Sequence, residues 1–248
     1  MPDKGTKKKV IRVASEESSA KTRAKKTPPV VNEETKAKAK TFRILAILAW
    51  IVAIAFQAGA IYLLQKTPIN TTWLIGLIVA DLIFAVTGSL LWKKANRFDP
   101  ASEKEKVKFF IQNQLGAIIS VIAFLPLVIL IFTNKNMKGN QKAVLGAVAV
   151  VALVIAGIVG IDFDPVSIEQ YAEQTAEVQA LNNGVNYVYW TKSGSSYHLY
   201  SDCSYINTAR TTEIYEGTVA DARKLKNITD LCDRCKNRAV KAKELNGQ

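Results

Sequence analysis

Apolar positions in this 248-residue chain gather into four long runs, at about 42–64, 72–92, 109–133 and 143–161. Each holds roughly 19–25 residues, enough for a helix rising 1.5 Å per residue to cross a ~30 Å hydrocarbon core. The pattern predicts four transmembrane helices. Trp73 and Trp92 bracket the second run, where indole rings favour the membrane interface, and Tyr62 and Lys66 mark the end of the first. Pro126 lies inside the third run, so it is expected to kink that helix or free a backbone carbonyl. The fourth run is poor in large side chains, and Ala152, Ala156 and Gly160 recur at every fourth position. Such a stripe lets a second helix backbone approach closely, either inside the bundle or between protomers of a homo-oligomer.

The flanking segments read differently. Residues 1–41 are rich in Lys, Thr, Ala, Glu and Pro and nearly free of aromatics. They bury too little apolar surface to offset ordering entropy, so a disordered basic tail is expected. They lack the apolar core of a signal peptide, and the run from Phe42 reads as an anchor. In 162–184, Ile168, Tyr171, Thr175 and Val178 recur at helical spacing. Asp164 is the expected N-cap, Pro165 the first helical residue and Asn183-Gly184 the stop, giving an amphipathic stalk. In 185–248, YVYWT, a KSG turn and SSYHL predict a hairpin, with Thr211–Tyr215 as a third strand. Thr218-x-x-Asp221 predicts a capping box opening a helix over 219–226, and a last helix is expected over 236–245. The fold class is thus an α-helical membrane bundle of four transmembrane helices with a small α+β C-terminal domain.

Charge adds orientation. Residues 1–43 carry thirteen Lys/Arg against five acids, a net +8, whereas 162–248 carry ten against twelve, a net −2. The formal +12 of the chain therefore lies in the tail and the membrane loops. That argues against nucleic acid as a partner of the C-terminal domain, because phosphate binding needs clustered cations. The tail suits contact with anionic lipid heads. The 65–71 connection has one Lys and the 93–108 connection six Lys/Arg, so the cation rule places both termini in the cytoplasm of a multi-pass cell-membrane protein. Lys135, Lys138 and Lys142 in the third connection count against this orientation but are outnumbered.

The C-terminal domain also holds the one readable piece of chemistry. All three cysteines and the only histidine fall in His198-x4-Cys203-x28-Cys232-x2-Cys235. An odd cysteine count argues against a disulfide framework, whereas three thiolates and one imidazole complete a tetrahedral zinc shell. Four protein ligands leave no open position for water, so the Zn2+ is expected to be structural. Asp202 and Asp233 neighbour ligands as surface or supporting carboxylates. The chain shows no phosphate loop, nucleophile elbow, HExxH motif or paired catalytic carboxylates, and no enzymatic activity is expected.

The stretch VYWTKSGSSYHLYSDCSYI, followed by GTVADARKL and LCDRC, resembles a small zinc module found at the ends of Gram-positive membrane and secreted proteins. It is similar in outline to the metal-binding domain of the Ada DNA-repair protein. The resemblance covers about fifty residues, 187–235, and implies an aromatic strand, a YH-x4-C pair, an alanine-containing helix and a C-x2-C knuckle around zinc. In the Ada domain a zinc-bound cysteine accepts a methyl group from DNA phosphate. Here His198 is the first ligand, the pair spacing differs and the domain is slightly acidic, so methyl transfer is not implied.

One polar site remains. Asp81 lies near the centre of the second run, where an ionised carboxylate is costly, and apart from Arg43 at the very start of the first run no Lys or Arg lies in any run to pair with it. Gln57, at similar depth in the first run, is a candidate partner. Asp81 reads as an interhelical hydrogen-bonding residue or as part of an ion path. The expected function is a membrane-anchored interaction or regulatory module with an unidentified protein partner. The rival is a small transporter or channel-like bundle using Asp81.

Overall fold

Each apolar run becomes the middle of a longer helix: α1 (Glu33–Leu64), α2 (Thr71–Phe98), α3 (Lys106–Thr133) and α4 (Gly139–Gly160). The structure is a computed structural model that describes residues 8–13, 31, 33–245 and 247. These divide into two units, one spanning Glu33–Ser167 and one formed by the described N-terminal residues with those from Ile168 onward.

All four helices of the first unit are long and apolar enough to span a membrane. Their outward faces carry Ile51, Ile83, Ile122, Val151 and Ile158, all exposed, a surface suited to acyl chains rather than water. The inward faces are narrower, with alanines of α1 and α4 packed against Ile78 of α2 and Phe124 and Leu127 of α3. Helix α1 begins nine residues before the expected start at Phe42. Glu33 and Glu34 occupy its first turn, where the helix dipole favours acids, and Lys36 and Lys38 pair back to them one turn on. Residues 33–41 are therefore helical, not part of a disordered tail, and 9–12 form a strand. The rest of that expected tail lies outside the described residues, Lys8, Val13 and Val31 excepted.

The small-residue stripe faces the interior of this single chain. Ala152, Ala156 and Gly160 are buried, and a Cβ added at Gly160 would sit 2.6 Å from Gly116 C and Ala117 N of α3. Where the backbones meet, Ser120 Oγ lies 2.8 Å from Gly116 O and 3.0 Å from Ala156 O. One end of the bundle is tied by amides. Trp92 Nε1 and Asn96 Nδ2 both donate to Gln112 O, and Gln114 bonds the backbone of Asp162 in both directions.

The second unit comprises β1 (Lys9–Arg12), α5 (Ile168–Leu181), β2 (Val188–Trp190), β3 (Ser196–Tyr197), β4 (Glu213–Gly217), α6 (Val219–Lys226), β5 (Asp230–Leu231) and α7 (Asp233–Leu245). Sheet order is β1-β4-β2, with β1 parallel and β2 antiparallel to β4, while β3 and β5 form a separate parallel pair. Helix α5 starts at Ile168, not Pro165. Ser167, just before it, forms an isolated parallel bridge with Ala101. Nor is α5 a free-standing stalk, because Val178 belongs to the core that contains Val188, Trp190, Ile214 and Val219. It ends as expected, with Asn183 and Gly184 both at positive φ and Gly184 N bonded to Gln179 O. The predicted hairpin exists only as a pair of backbone bonds between Tyr189 and His198, since β3 turns to pair with β5.

Candidate metal centre

Two short segments present the four ligands. The first follows β3, where the mutual bonds between Tyr189 and His198 (2.7 and 2.8 Å) fix the His198 backbone. Beyond it the chain turns tightly, Cys203 N donating to Tyr200 O at 3.2 Å and Cys203 O accepting from Asn207 N at 2.7 Å. The second segment is the knuckle entering α7, with Cys235 in its first turn. Cys232 N donates to Tyr197 O at 2.9 Å, joining the two segments beside the ligands. The capping box of α6, Thr218 with Asp221, forms as the sequence predicts and returns the chain toward β5.

The result is a buried cluster. One donor atom each from His198, Cys203, Cys232 and Cys235 lies within 4.8 Å of all the others, and His198 Nδ1 is 3.7 Å from Cys235 Sγ. A tetrahedral zinc shell with ~2.3 Å Zn–S bonds has an edge of about 3.8 Å, so small side-chain rotations close the set. The three cysteines are free thiols, and all four side chains belong to or adjoin the domain core. The cluster is able to hold a metal ion.

Burial acts on the two kinds of ligand in opposite directions. Burial lowers the pKa of His198, which keeps the imidazole in its neutral, ligating form at pH 7. Burial pushes the Cys235 thiol up to about 12, with Cys203 adding to the effect. Backbone hydrogen bonds from Tyr200 and Leu199 act in the opposite direction. Such bonds are of the kind that stabilise a metal-bound thiolate.

Sequence reasoning did not find the brace around the site. Arg238 of α7 binds Asp202 through two bonds of 2.8 and 3.0 Å and lies over the Tyr200 ring at 4.1 Å. It thereby links the His198–Cys203 segment to the helix carrying Cys235. Asp202 is thus engaged by Arg238, a surface pairing no sequence spacing announces. A polar cleft of about 850 Å3 opens beside the cluster and reaches His198 and Cys232, with Glu173, Ser196 and Asp233 on its walls.

The polar pair expected within the apolar helices separates. Gln57 is buried but donates to Ile122 O at 3.2 Å, not to Asp81. Ile122 is four residues before Pro126, which has no N–H to satisfy that carbonyl. Gln57 is therefore explained by the proline. Asp81 is fully buried on the inward face of α2, and neither of its oxygens has a hydrogen-bond partner among the described residues.

Comparison with protein-family models, curated proteins and solved structures finds no match to this chain, so its functional reading rests on the four long apolar helices and the cluster of one histidine and three cysteines themselves.

Proposed function

We propose that this chain is an integral membrane protein presenting a structural-zinc interaction or regulatory module at the membrane surface, without enzymatic activity of its own. The observation that carries this reading is the closed donor set. Four buried protein side chains supply four ligands, and none is left for water. Three thiolates also make zinc a weaker Lewis acid than an open three-histidine site. The ligand types favour zinc over hard cations, which prefer oxygen. Cobalt substitution of the purified full chain tests the reading. The expected spectrum is an intense four-coordinate band with thiolate charge transfer, unmoved by azide. Since the polar cleft reaches His198 and Cys232, a spectrum that shifts with azide moves an enzymatic reading ahead.

Both termini belong in the cytoplasm on this reading. The six cations of 93–108 support it, and the β1–β4 pairing, which needs residues 9–12 and 213–217 on one side of the membrane, supports an even number of spans. Reporter fusions after Gln248 are expected to be active only inside the cell. Activity only outside means an odd number of spans or an inverted bundle.

One observation favours a second reading. A fully buried carboxylate without a partner among the described residues suits an ion or proton path. Liposomes containing the protein and a pH-sensitive dye decide between the two. Flux that vanishes in Asp81→Asn supports transport, and no flux above empty liposomes supports the interaction module.

A further inference from the structure

Strand β4 has two edges. One pairs with β2, whose Val188 and Trp190 side chains are fully buried, so that strand is part of the core. The other pairs with β1, which differs in every respect. It comes from the opposite end of the chain, spans four residues, and none of its side chains is buried. Val10 is half exposed, and only Ile11 and Val13 lean toward the module, Val13 touching the core. What holds β1 is backbone pairing and charge. Lys9 N donates to Thr212 O at 3.3 Å and Val13 N to Glu216 O at 2.9 Å. Lys9 stands opposite Glu213 and Arg12 opposite Glu216, with Arg12 Nε 3.7 Å from Glu216 Oε2. Lys8 Nζ binds Asn207 Oδ1 at 2.6 Å and Thr208 O at 2.8 Å, in the loop after Cys203.

This is the geometry of strand addition, in which main-chain bonds supply affinity and flanking side chains supply selectivity. We propose that the outer edge of β4 is the module's docking surface for an extended basic segment, two β-branched residues flanked by cations, and that residues 8–13 are its tethered, exchangeable occupant. The inference rests on reading the zinc unit as an interaction module and names the chemistry of its ligand. An uncovered β4 edge exposes a row of unpaired N–H and C=O groups with two glutamates beside them, a template for a cationic strand. The shallow seat of β1 explains why a tether is needed. A strand joined to its acceptor by the same chain rebinds intramolecularly, at an effective concentration on the order of millimolar. A partner segment of like chemistry displaces it only when it binds better or is itself held nearby.

The test uses the full chain in lipid nanodiscs, loaded with zinc, with the photo-crosslinker p-benzoylphenylalanine at exposed Val10. The expected product is a within-chain link from residue 10 to 213–217, mapped by mass spectrometry. A synthetic peptide of residues 6–15 halves that link at low-millimolar concentration. On a chain lacking residues 1–13, the same peptide carrying the crosslinker labels 213–217 at a concentration at least tenfold lower. Glu216→Lys weakens labelling several-fold with zinc content unchanged. A link that no peptide displaces overturns exchange, and a link only between two chains overturns the tethered occupant in favour of strand swapping between copies. No link to 213–217 from a zinc-loaded, folded chain overturns the docking surface itself while leaving the zinc reading intact. Failure to bind zinc is the separate result that overturns that reading.

Discussion

Removing the metal from the intact protein, by a chelator or by Cys232→Ser, is expected to unfold the C-terminal module and leave the four long apolar helices intact. The three cysteines sit within the module's core, so without the ion that core loses the atom its ligands surround. Apparent zinc affinities in small structural sites correspond to about 10–16 kcal/mol, as large as the ~5–15 kcal/mol that keeps a whole domain folded. Trp190 gives the readout, being fully buried and the only tryptophan after residue 161. Its emission should shift to the red and 168–245 become protease-sensitive, while most far-UV helical signal persists. The pH dependence has a fixed sign. With the metal-free Cys235 thiol pushed up to about 12, loading at pH 7 must displace a proton. Metal-derived stability is therefore present at neutral and higher pH and lost as pH falls, by up to about one decade of affinity per pH unit for each thiol proton displaced. A module that keeps Trp190 buried after complete metal removal sinks this prediction.

Gly160→Leu disrupts the α3–α4 contact. A Cβ there would lie 2.6 Å from backbone atoms of Gly116 and Ala117, and backbone has no rotamer through which to yield. Overpacking a core costs roughly 1–3 kcal/mol, and a backbone clash belongs at about 3 kcal/mol or above. Forcing the helices apart also breaks the Ser120 hydroxyl's reach to Ala156 O. The expected result is a large drop in the detergent-resistant folded fraction on thermal size-exclusion assays. Gly157→Leu is the control, because a Cβ at Gly157 meets nothing within 4 Å. Equal damage from both substitutions removes the argument from close packing.

These two cases mark the division between chain and fold. Local sequence sufficed for features whose physics is local. The presence of four long apolar helices followed from the apolar runs, the α6 start from Thr218 and Asp221, the end of α5 from Asn183-Gly184, and the cluster able to hold a metal from the type and spacing of His198, Cys203, Cys232 and Cys235. The early start of α1 was hidden because charge pairing of Glu33 and Glu34 with nearby lysines extends a helix that apolarity alone would begin later. Everything that depends on which distant segments meet was decided by tertiary structure. Periodicity could say that the Ala152–Gly160 stripe packs closely, but not that α3 of the same chain supplies the facing backbone. Gln57 and Pro126 are separated by 69 residues, and only the helix pairing turns one into the answer to the other's missing donor. The Arg238–Asp202 brace and the addition of Lys9–Arg12 to β4 are likewise pairings of surface groups. A charged side chain has many equivalent partners in sequence, and composition alone read residues 1–41 as a disordered basic tail suited to anionic lipid heads. The β4 edge, assembled two hundred residues later, is what gives that segment a place to pair.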